Sequence, residues 1–430
     1  MTKFTDVNLF INWVEHQRRF SPKASLDKMY FYCSLFGNPQ NKFSSIHVTG
    51  TNGKGSTVAS LRSILRKAGL NVATFTSPYI TIFNERIQYN GEFISNENLL
   101  KYANIIIEKY PIIENSGYEL PSFFEFITLL SFIYFSEITD LDIAIIEVGM
   151  GGRLDSTNVI NSDLSIITNV SYDHMNVLGD TLEKIAIEKL GIVKENTPLI
   201  CGIKEKYLQE IVKNKCLEKN SDVILTALTA FEIKKMDIYG SEILINDSKT
   251  PLRINLAGEH QIDNAMLVYY AIKKLNEIYT GKKRNFPISN VLLYEGLNSV
   301  SWPGRIEIVS DNPLIVIDGA HNIDAVRRVT NFISKLPYSY KRAVVSISHD
   351  KEKEKMINLL DNTFNEIIFT KYTYERSSTA DELYDLSSCA NKTITKDIDE
   401  AYQLVIDNPK EFTIFLGSLY LVCDIRKKFK

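Results

Sequence analysis

Only five of the 430 residues are cysteine: Cys33, Cys201, Cys216, Cys389 and Cys423, odd in number, scattered and without CxxC spacing. That scarcity excludes a disulfide framework and a cysteine-built zinc site, and it points to a reducing cytoplasm. No apolar run approaches the roughly 18 residues needed to span a bilayer, and the opening MTKFTDVNLF lacks the apolar core of a secretion signal. The chain is expected to be neither exported nor membrane-spanning. Positive charge is not in excess. With 49 Lys and Arg against 52 Asp and Glu, the net charge is −3, so no overall field exists to hold nucleic acid or an anionic membrane. Anionic ligands must be held by local sites. The 12 prolines and 20 glycines leave little material for long disordered tracts, so the chain should fold throughout.

A length of 430 exceeds what one hydrophobic core organises, and two domains are expected. Short β-branched runs at 44–49, 71–76, 141–148 and 163–168 alternate with helical patterns, which reads as an α/β parallel sheet. Residues 6–36 look helical ahead of it, broken at Ser21-Pro22. A second α/β series follows residue 305, with strands expected at 306–309, 314–317, 343–347, 366–369 and 412–416. Between the two series, Trp302-Pro303-Gly304 marks a turn, so the domains are expected at 1–300 and 301–430. Residues 220–256 read as hairpin-like strands, with turn signals at Tyr239-Gly240 and Asn246-Asp247. The expected fold class is α/β: a P-loop-type parallel-sheet domain followed by a smaller Rossmann-like α/β domain.

The strand-like Ile46-His47-Val48-Thr49 leads into Gly50-Thr51-Asn52-Gly53-Lys54-Gly55-Ser56, and 57–68 has helical pattern. Strand, glycine loop and helix form the context of a nucleotide-phosphate cradle. Glycines let backbone N–H groups converge on phosphate oxygens, the helix N-terminus adds positive potential, and Lys54 supplies a point charge. The strict Walker pattern is not met, because Gly55 stands between Lys54 and Ser56.

Further polar residues fall at the ends of later strands, where parallel sheets hold ligands. Glu147 closes an apolar strand and precedes Val148-Gly149-Met150-Gly151-Gly152-Arg153, which makes it a metal-ligand candidate. His174, in Tyr172-Asp173-His174, reads equally as a metal ligand or a loop cap. Residues 181–189 read as a helix capped by Asp180 or Thr181, on which Lys189 alone would be a solvated surface lysine.

Together, HVTGTNGKGS, TSPYITIFNERI, SFFEFIT, EVGMGGRLDSTN, DHMNVLGDTLEKIAIEKLGIVK, LAGEHQIDNA, WPGR, DGAHN and GSLYL resemble the folylpolyglutamate synthase and dihydrofolate synthase family of the Mur ligase superfamily. They run in that family's order from about residue 47 to 420. The resemblance implies an ATP-dependent ligase that adds L-glutamate to a folate or to dihydropteroate. The γ-phosphate moves to a carboxylate, and the amine of glutamate then displaces phosphate, leaving ADP.

By the same resemblance Ser77 and Glu147 would bind one Mg²⁺, His174 would serve a second, and Lys189 would be carried as a carbamate. ATP contacts would come from Asn52, Gly53, Lys54, Gly55, Ser56, Asn264, Arg305, Asp318 and His321, with Arg305 acting much as an arginine finger. Lys54, His174, Lys189 and Arg305 are thus the implied catalytic set, in a site expected to close between domains. Folate contacts would come from Ser122, Phe123, Phe124, Glu125 and Leu154, with 79–87 matching a mobile substrate loop. On pattern alone, Phe123, Phe124 and Phe126 are helix core. Tyr79 stands where many members carry histidine, and Glu352 where aspartate is common.

A monomer without nucleic-acid or membrane partners is the implied state. Two rival functions fit parts of the pattern. A muramyl amino-acid ligase of the Mur type carries a further N-terminal domain, for which the residues ahead of Gly50 are expected to be too few. A non-catalytic nucleotide-binding protein is disfavoured by the presence of Lys54, Glu147 and His174.

Overall fold

The structure, a computed structural model, describes residues 3–18, 25–245, 250–281 and 288–429. The expected Ser21-Pro22 break and the Asn246-Asp247 turn lie outside them. The chain divides into two compact units, Met1–Ala230 with Asp263–Ser299, and Phe231–Ile262 with Val300–Lys430.

In the first unit, eight strands are found among the described residues: β1 (Ser45–Thr49), β2 (Val72–Phe75), β3 (Ile87–Tyr89), β4 (Glu92–Phe93), β5 (Ile143–Glu147), β6 (Leu164–Ile167), β7 (Leu199–Cys201) and β8 (Val223–Leu225). They form one sheet in the order β4-β3-β2-β5-β1-β6-β7-β8. All neighbours are parallel except the β2–β3 and β3–β4 pairs, so a short antiparallel hairpin edges an otherwise parallel sheet. β1 and β5 are buried along their whole length, as expected of central strands covered on both faces.

One face carries the helices Val7–Glu15, Asp27–Ser34 and Phe123–Glu137, whose Phe10, Tyr32, Phe126 and Phe132 share a core with Phe75 and Ile146. Phe123–Glu137 is apolar nearly all round, the pattern of a helix enclosed by neighbours. A second core gathers Ile185, Leu190, Leu199 and Val212 around β7. The helix Asn290–Ser299 returns to the helix Lys54–Lys67, where Ser63 Oγ donates to the Gly296 carbonyl at 2.8 Å.

In the second unit, β9 (Phe231–Asp237), β10 (Gly240–Ile245) and β11 (Leu252–Ile254) make an antiparallel sheet ordered β11-β10-β9. A second sheet holds β12 (Glu307–Asp311), β13 (Leu314–Ile317), β14 (Lys341–Val345), β15 (Glu366–Phe369), β16 (Lys392–Ile394) and β17 (Phe412–Leu416), ordered β12-β13-β17-β14-β15-β16. Apart from the β12–β13 hairpin its pairs are parallel.

The division differs from 1–300 and 301–430 in one respect: Phe231–Ile262 groups with the C-terminal residues. Ile238 and Ala257 lie in the same core as Val316, Phe332 and Ile414, and that burial decides which unit the hairpin joins.

Candidate active site

β1 lies between β5 and β6, and the register sets Val48 beside Glu147 and Thr49 beside Ile167. The carboxyl ends of three strands therefore finish level with one another, where open parallel sheets hold ligands. From β1 the chain enters the glycine loop, and the helix begins at Lys54, three residues earlier than the sequence pattern predicts. Gly53 makes this start possible by taking a φ of 86° at the N-cap. Lys54, Gly55 and Ser56 thus form the first helical turn, whose N–H groups have no partners within the helix and suit phosphate oxygens.

The loop is tied from behind to the residues that follow β6. Asn52 N donates to Asn169 Oδ1 at 3.0 Å, and Asn52 O accepts from Thr168 Oγ1 at 2.6 Å and Asn169 Nδ2 at 2.8 Å. Lys54 Nζ donates to the carbonyls of Gly50 and Thr51 at 3.1 and 3.3 Å, which folds its ammonium over the loop. Asn264, on the helix Glu259–Gly281, meets the loop directly: a Cβ on Gly53 would stand 2.4 Å from Asn264 Oδ1.

That contact makes a prediction. A residue with a Cβ costs about 1–2 kcal/mol in the left-handed conformation, and here it would also push Asn264 away. Gly53→Ala is expected to weaken binding of a non-hydrolysable ATP analogue by about 10–100-fold, as titration calorimetry would read; unchanged affinity would remove Gly53 and Asn264 from the nucleotide site.

Glu147 ends β5 at 3 % exposure, and its Oε2 accepts from Ser77 N at 3.1 Å. Ser77 follows β2, the neighbour of β5, so two residues 70 apart in sequence arrive together. A carboxylate and a hydroxyl are hard oxygen donors of the kind magnesium takes. Among the described residues no three His, Cys, Asp or Glu side chains cluster as a metal site. A donor set this small fits an ion whose remaining positions go to water and substrate phosphates. His174 sits apart in character: it takes a φ of 50° ahead of the helix Met175–Leu178, and its side chain is half exposed.

Lys189 is not a surface residue. It is 2 % exposed on the helix Leu182–Leu190, on the face that buries Ile185, Ala186 and Leu190, and Thr181 caps that helix. Burial, then the positive charge of Lys54, push its pKa down to about 7, against the opposing pull of Asp173. The glycine turn after Glu147 is locked onto the same helix. Arg153 N donates to Glu188 O at 2.7 Å, and the Arg153 guanidinium pairs with the Glu188 carboxylate at 2.7 Å.

A buried polar chain behind the site escapes sequence reasoning. His47 Nε2 meets Thr157 Oγ1 at 2.8 Å, Thr157 donates to Asp155 Oδ1 at 2.5 Å, and Asp155 Oδ2 accepts from Met150 N at 2.9 Å. Thr49 Oγ1 completes the link by donating to Gly151 O at 2.6 Å. Burial holds the imidazole neutral, with its pKa pushed down to about 3. The available signal is Leu154-Asp155-Ser156-Thr157, since Asp155 caps the turn Ser156–Val159.

Ser122 precedes the helix Phe123–Glu137, and its N–H donates to Glu125 Oε2 at 2.8 Å. The other carboxylate oxygen lies 3.3 Å from Lys28 Nζ, in an ion pair with both side chains under a tenth exposed. Phe126 is core, as its pattern predicts, whereas Phe123 and Phe124 are only half-buried. The Phe124 ring covers Gly149, where an added Cβ would be 2.5 Å from its Cζ, so this helix start abuts the turn after Glu147. Leu154 is half-buried and follows Arg153 from that turn.

In the second unit Asp318 follows β13, is 2 % exposed, and accepts from Ile306 N at 2.9 Å and Ala320 N at 2.8 Å. Burial raises its pKa, with Arg305 opposing. The Arg305 guanidinium lies against Gly319, whose carbonyl accepts from His321 Nδ1 at 2.8 Å. Arg305, Asp318 and His321 therefore lie close together in this unit.

Comparison with known proteins finds two family domains along the chain, the first of which runs through Phe231–Ile262. The Mur ligase middle domain matches residues 48–272, and the Mur ligase glutamate ligase domain matches 304–419. The dihydrofolate synthase/folylpolyglutamate synthase of Bacillus subtilis is 35 % identical over 97 % of this chain and 98 % of its own length. The folylpolyglutamate synthase of Thermotoga maritima superposes with a TM-score of 0.83 at 28 % identity, over 98 % of this chain and 96 % of that one. The fold also matches the Mycobacterium tuberculosis folylpolyglutamate synthase complexed with ADP, at a TM-score of 0.87 and 23 % identity over 98 % of both chains. Two Mur ligase domains in succession, carried by a sequence that runs nearly end to end with the Bacillus subtilis protein, place this chain in the dihydrofolate synthase/folylpolyglutamate synthase family.

Proposed function

We propose that this chain is an ATP-dependent ligase that joins L-glutamate to a folate-type carboxylate and releases ADP and phosphate. The observation that carries this reading is the level ending of β1, β5 and β6, which brings the glycine loop beside the buried Glu147, with the buried Lys189 close enough to feel the charge of Lys54. The chemistry must bring a polyanionic nucleotide up to an anionic acceptor, so its chief demand is fixed positive charge and aimed donors. The first turn of the helix Lys54–Lys67 would offer backbone N–H groups to the phosphates, and Lys54 would supply a positive charge to the terminal ones. Glu147 and Ser77 would hold magnesium, which when bound supplies positive charge between the phosphates and the acceptor carboxylate.

Lys189 fits the role of a carbamate. A lysine amine adds carbon dioxide only when neutral, and burial beside Lys54 brings its pKa down to about 7, so much of it is neutral at that pH. The resulting anion would face the same cation and replace a costly buried ammonium. Asn264 would complete the nucleotide site at Gly53, and within the second unit Arg305, Asp318 and His321 are the candidate ATP contacts. Phe123, Phe124 and Leu154 would flank the folate ring.

The Bacillus subtilis relative is named for both activities, so dihydropteroate and a reduced folate are both candidate acceptors. The test is ADP release by purified protein with ATP and glutamate, comparing tetrahydrofolate, dihydropteroate and a muramyl nucleotide. Release that depends on glutamate and on either pteridine is expected; release with the muramyl nucleotide alone, or without glutamate, would overturn the reading.

A further inference from the structure

Between β2 and β3 the chain makes a turn that includes the short 3-10 helix Phe83–Arg86, which Glu85 organises. Its carboxylate accepts from the backbone N–H groups of Ile80, Thr81 and Ile82 at 2.7, 3.0 and 3.1 Å. The next residue, Arg86, is 7 % exposed, and its guanidinium carbon lies 5.0, 5.5 and 5.2 Å from the ring centres of Tyr79, Phe83 and Phe123. Three aromatic faces around one buried guanidinium make a cation–π cage, strongest where water is excluded.

The three rings come from two places in the sequence. Tyr79 and Phe83 belong to the turn, while Phe123 opens the helix whose next residue, Phe124, lies on the turn after Glu147. Phe83 is buried, with Phe10 edge-on at 6.3 Å, and the Tyr79 hydroxyl donates to Glu15 Oε1 at 2.9 Å, which anchors the turn to the helix Val7–Glu15. Tyr79 and Phe123 remain half-buried, so part of each ring is open.

We infer that Arg86 is a positioning residue: it clamps Tyr79 and Phe123 into one wall, and that wall takes the flat pteridine of a folate-type substrate by stacking. The inference rests on the folate reading of this site and adds to it the group that sets the wall's geometry. A planar cation suits this task because it can lie against several rings at once, which an ammonium cannot do. Arg86→Lys therefore keeps the charge and loses the clamp.

The experiment is steady-state ADP release by the full chain with glutamate saturating, varying tetrahydrofolate and ATP in turn. In Arg86→Lys and, independently, Phe83→Leu, the KM for tetrahydrofolate is expected to rise about tenfold, the scale of a lost cation–ring contact. The KM for ATP should stay within about twofold of wild type. Binding of an ATP analogue reports whether each variant is folded, and if one of the two fails to fold the other supplies the test. An unchanged KM for tetrahydrofolate, or equal rises for both substrates, would overturn the inference while leaving the wild-type activity standing. A wild type silent on every pteridine would overturn the folate reading and this inference with it.

Discussion

Lys54→Ala is expected to lower glutamate-dependent ADP release by about 10²–10³-fold, the usual effect of removing one preorganised group from a charge-developing transition state. The ammonium lies over the Gly50 and Thr51 carbonyls at 3.1 and 3.3 Å, so it is held at the loop before any phosphate arrives. Both bonds are only partly buried, and losing them costs the folded state about 1 kcal/mol. The melting temperature should therefore barely move while turnover collapses. Wild-type ADP release in the variant would mean that the loop does not cradle the transferred phosphate.

Lys189→Ala is expected to reduce turnover by about 10²-fold, a loss on the scale of removing a group that holds the site's ligands. The unaltered protein, measured intact under retained carbon dioxide, should carry the added mass of one carbon dioxide that Lys189→Ala lacks. The pH dependence has a definite sign. The amine loses its proton near pH 7 when folded and at 10.5 ordinarily, so the folded free-amine form binds fewer protons over that range. Its stability should rise with pH from about 7 to 10.5. Modification at fixed carbon dioxide should likewise increase as pH passes upward through about 7, because only the neutral amine reacts. An unmodified mass in a fully active enzyme would dismiss the carbamate.

Lys189 reads as a surface residue in the sequence and Glu147 as a strand-end ligand, and the difference between them is one of range. Glu147 can be placed because an apolar run followed by an acid and glycines marks a strand end locally. Lys189 occupies an amphipathic helix among Glu183, Lys184 and Glu188, and only packing against the glycine turn decides that its side chain points inward. The same limit applies to Lys28, which is buried against Glu125 from nearly 100 residues away.

Strands are legible to within one or two residues, as in the expected 163–168 against Leu164–Ile167, because β-branched runs bounded by polar residues are local signals. The start of the helix at Lys54 is not, because glycine-rich sequence reads as loop, whereas Gly53 in its left-handed conformation serves as a cap. The hairpin β9–β10 can be read from Tyr239-Gly240, but its allegiance depends on where Ile238 finds its core partners.

That allegiance has a practical consequence for anyone cutting or grafting this protein. The polypeptide changes unit after Ala230, again after Ile262 and a third time after Ser299, so neither unit is one uninterrupted stretch. A fragment cut at residue 300 would leave behind the segment that contributes Ile238 and Ala257 to the core with Val316 and Phe332. A chimaera between family members must therefore exchange two segments together, and a library recombined at a single crossover near residue 300 would unite a hairpin from one parent with a core from the other.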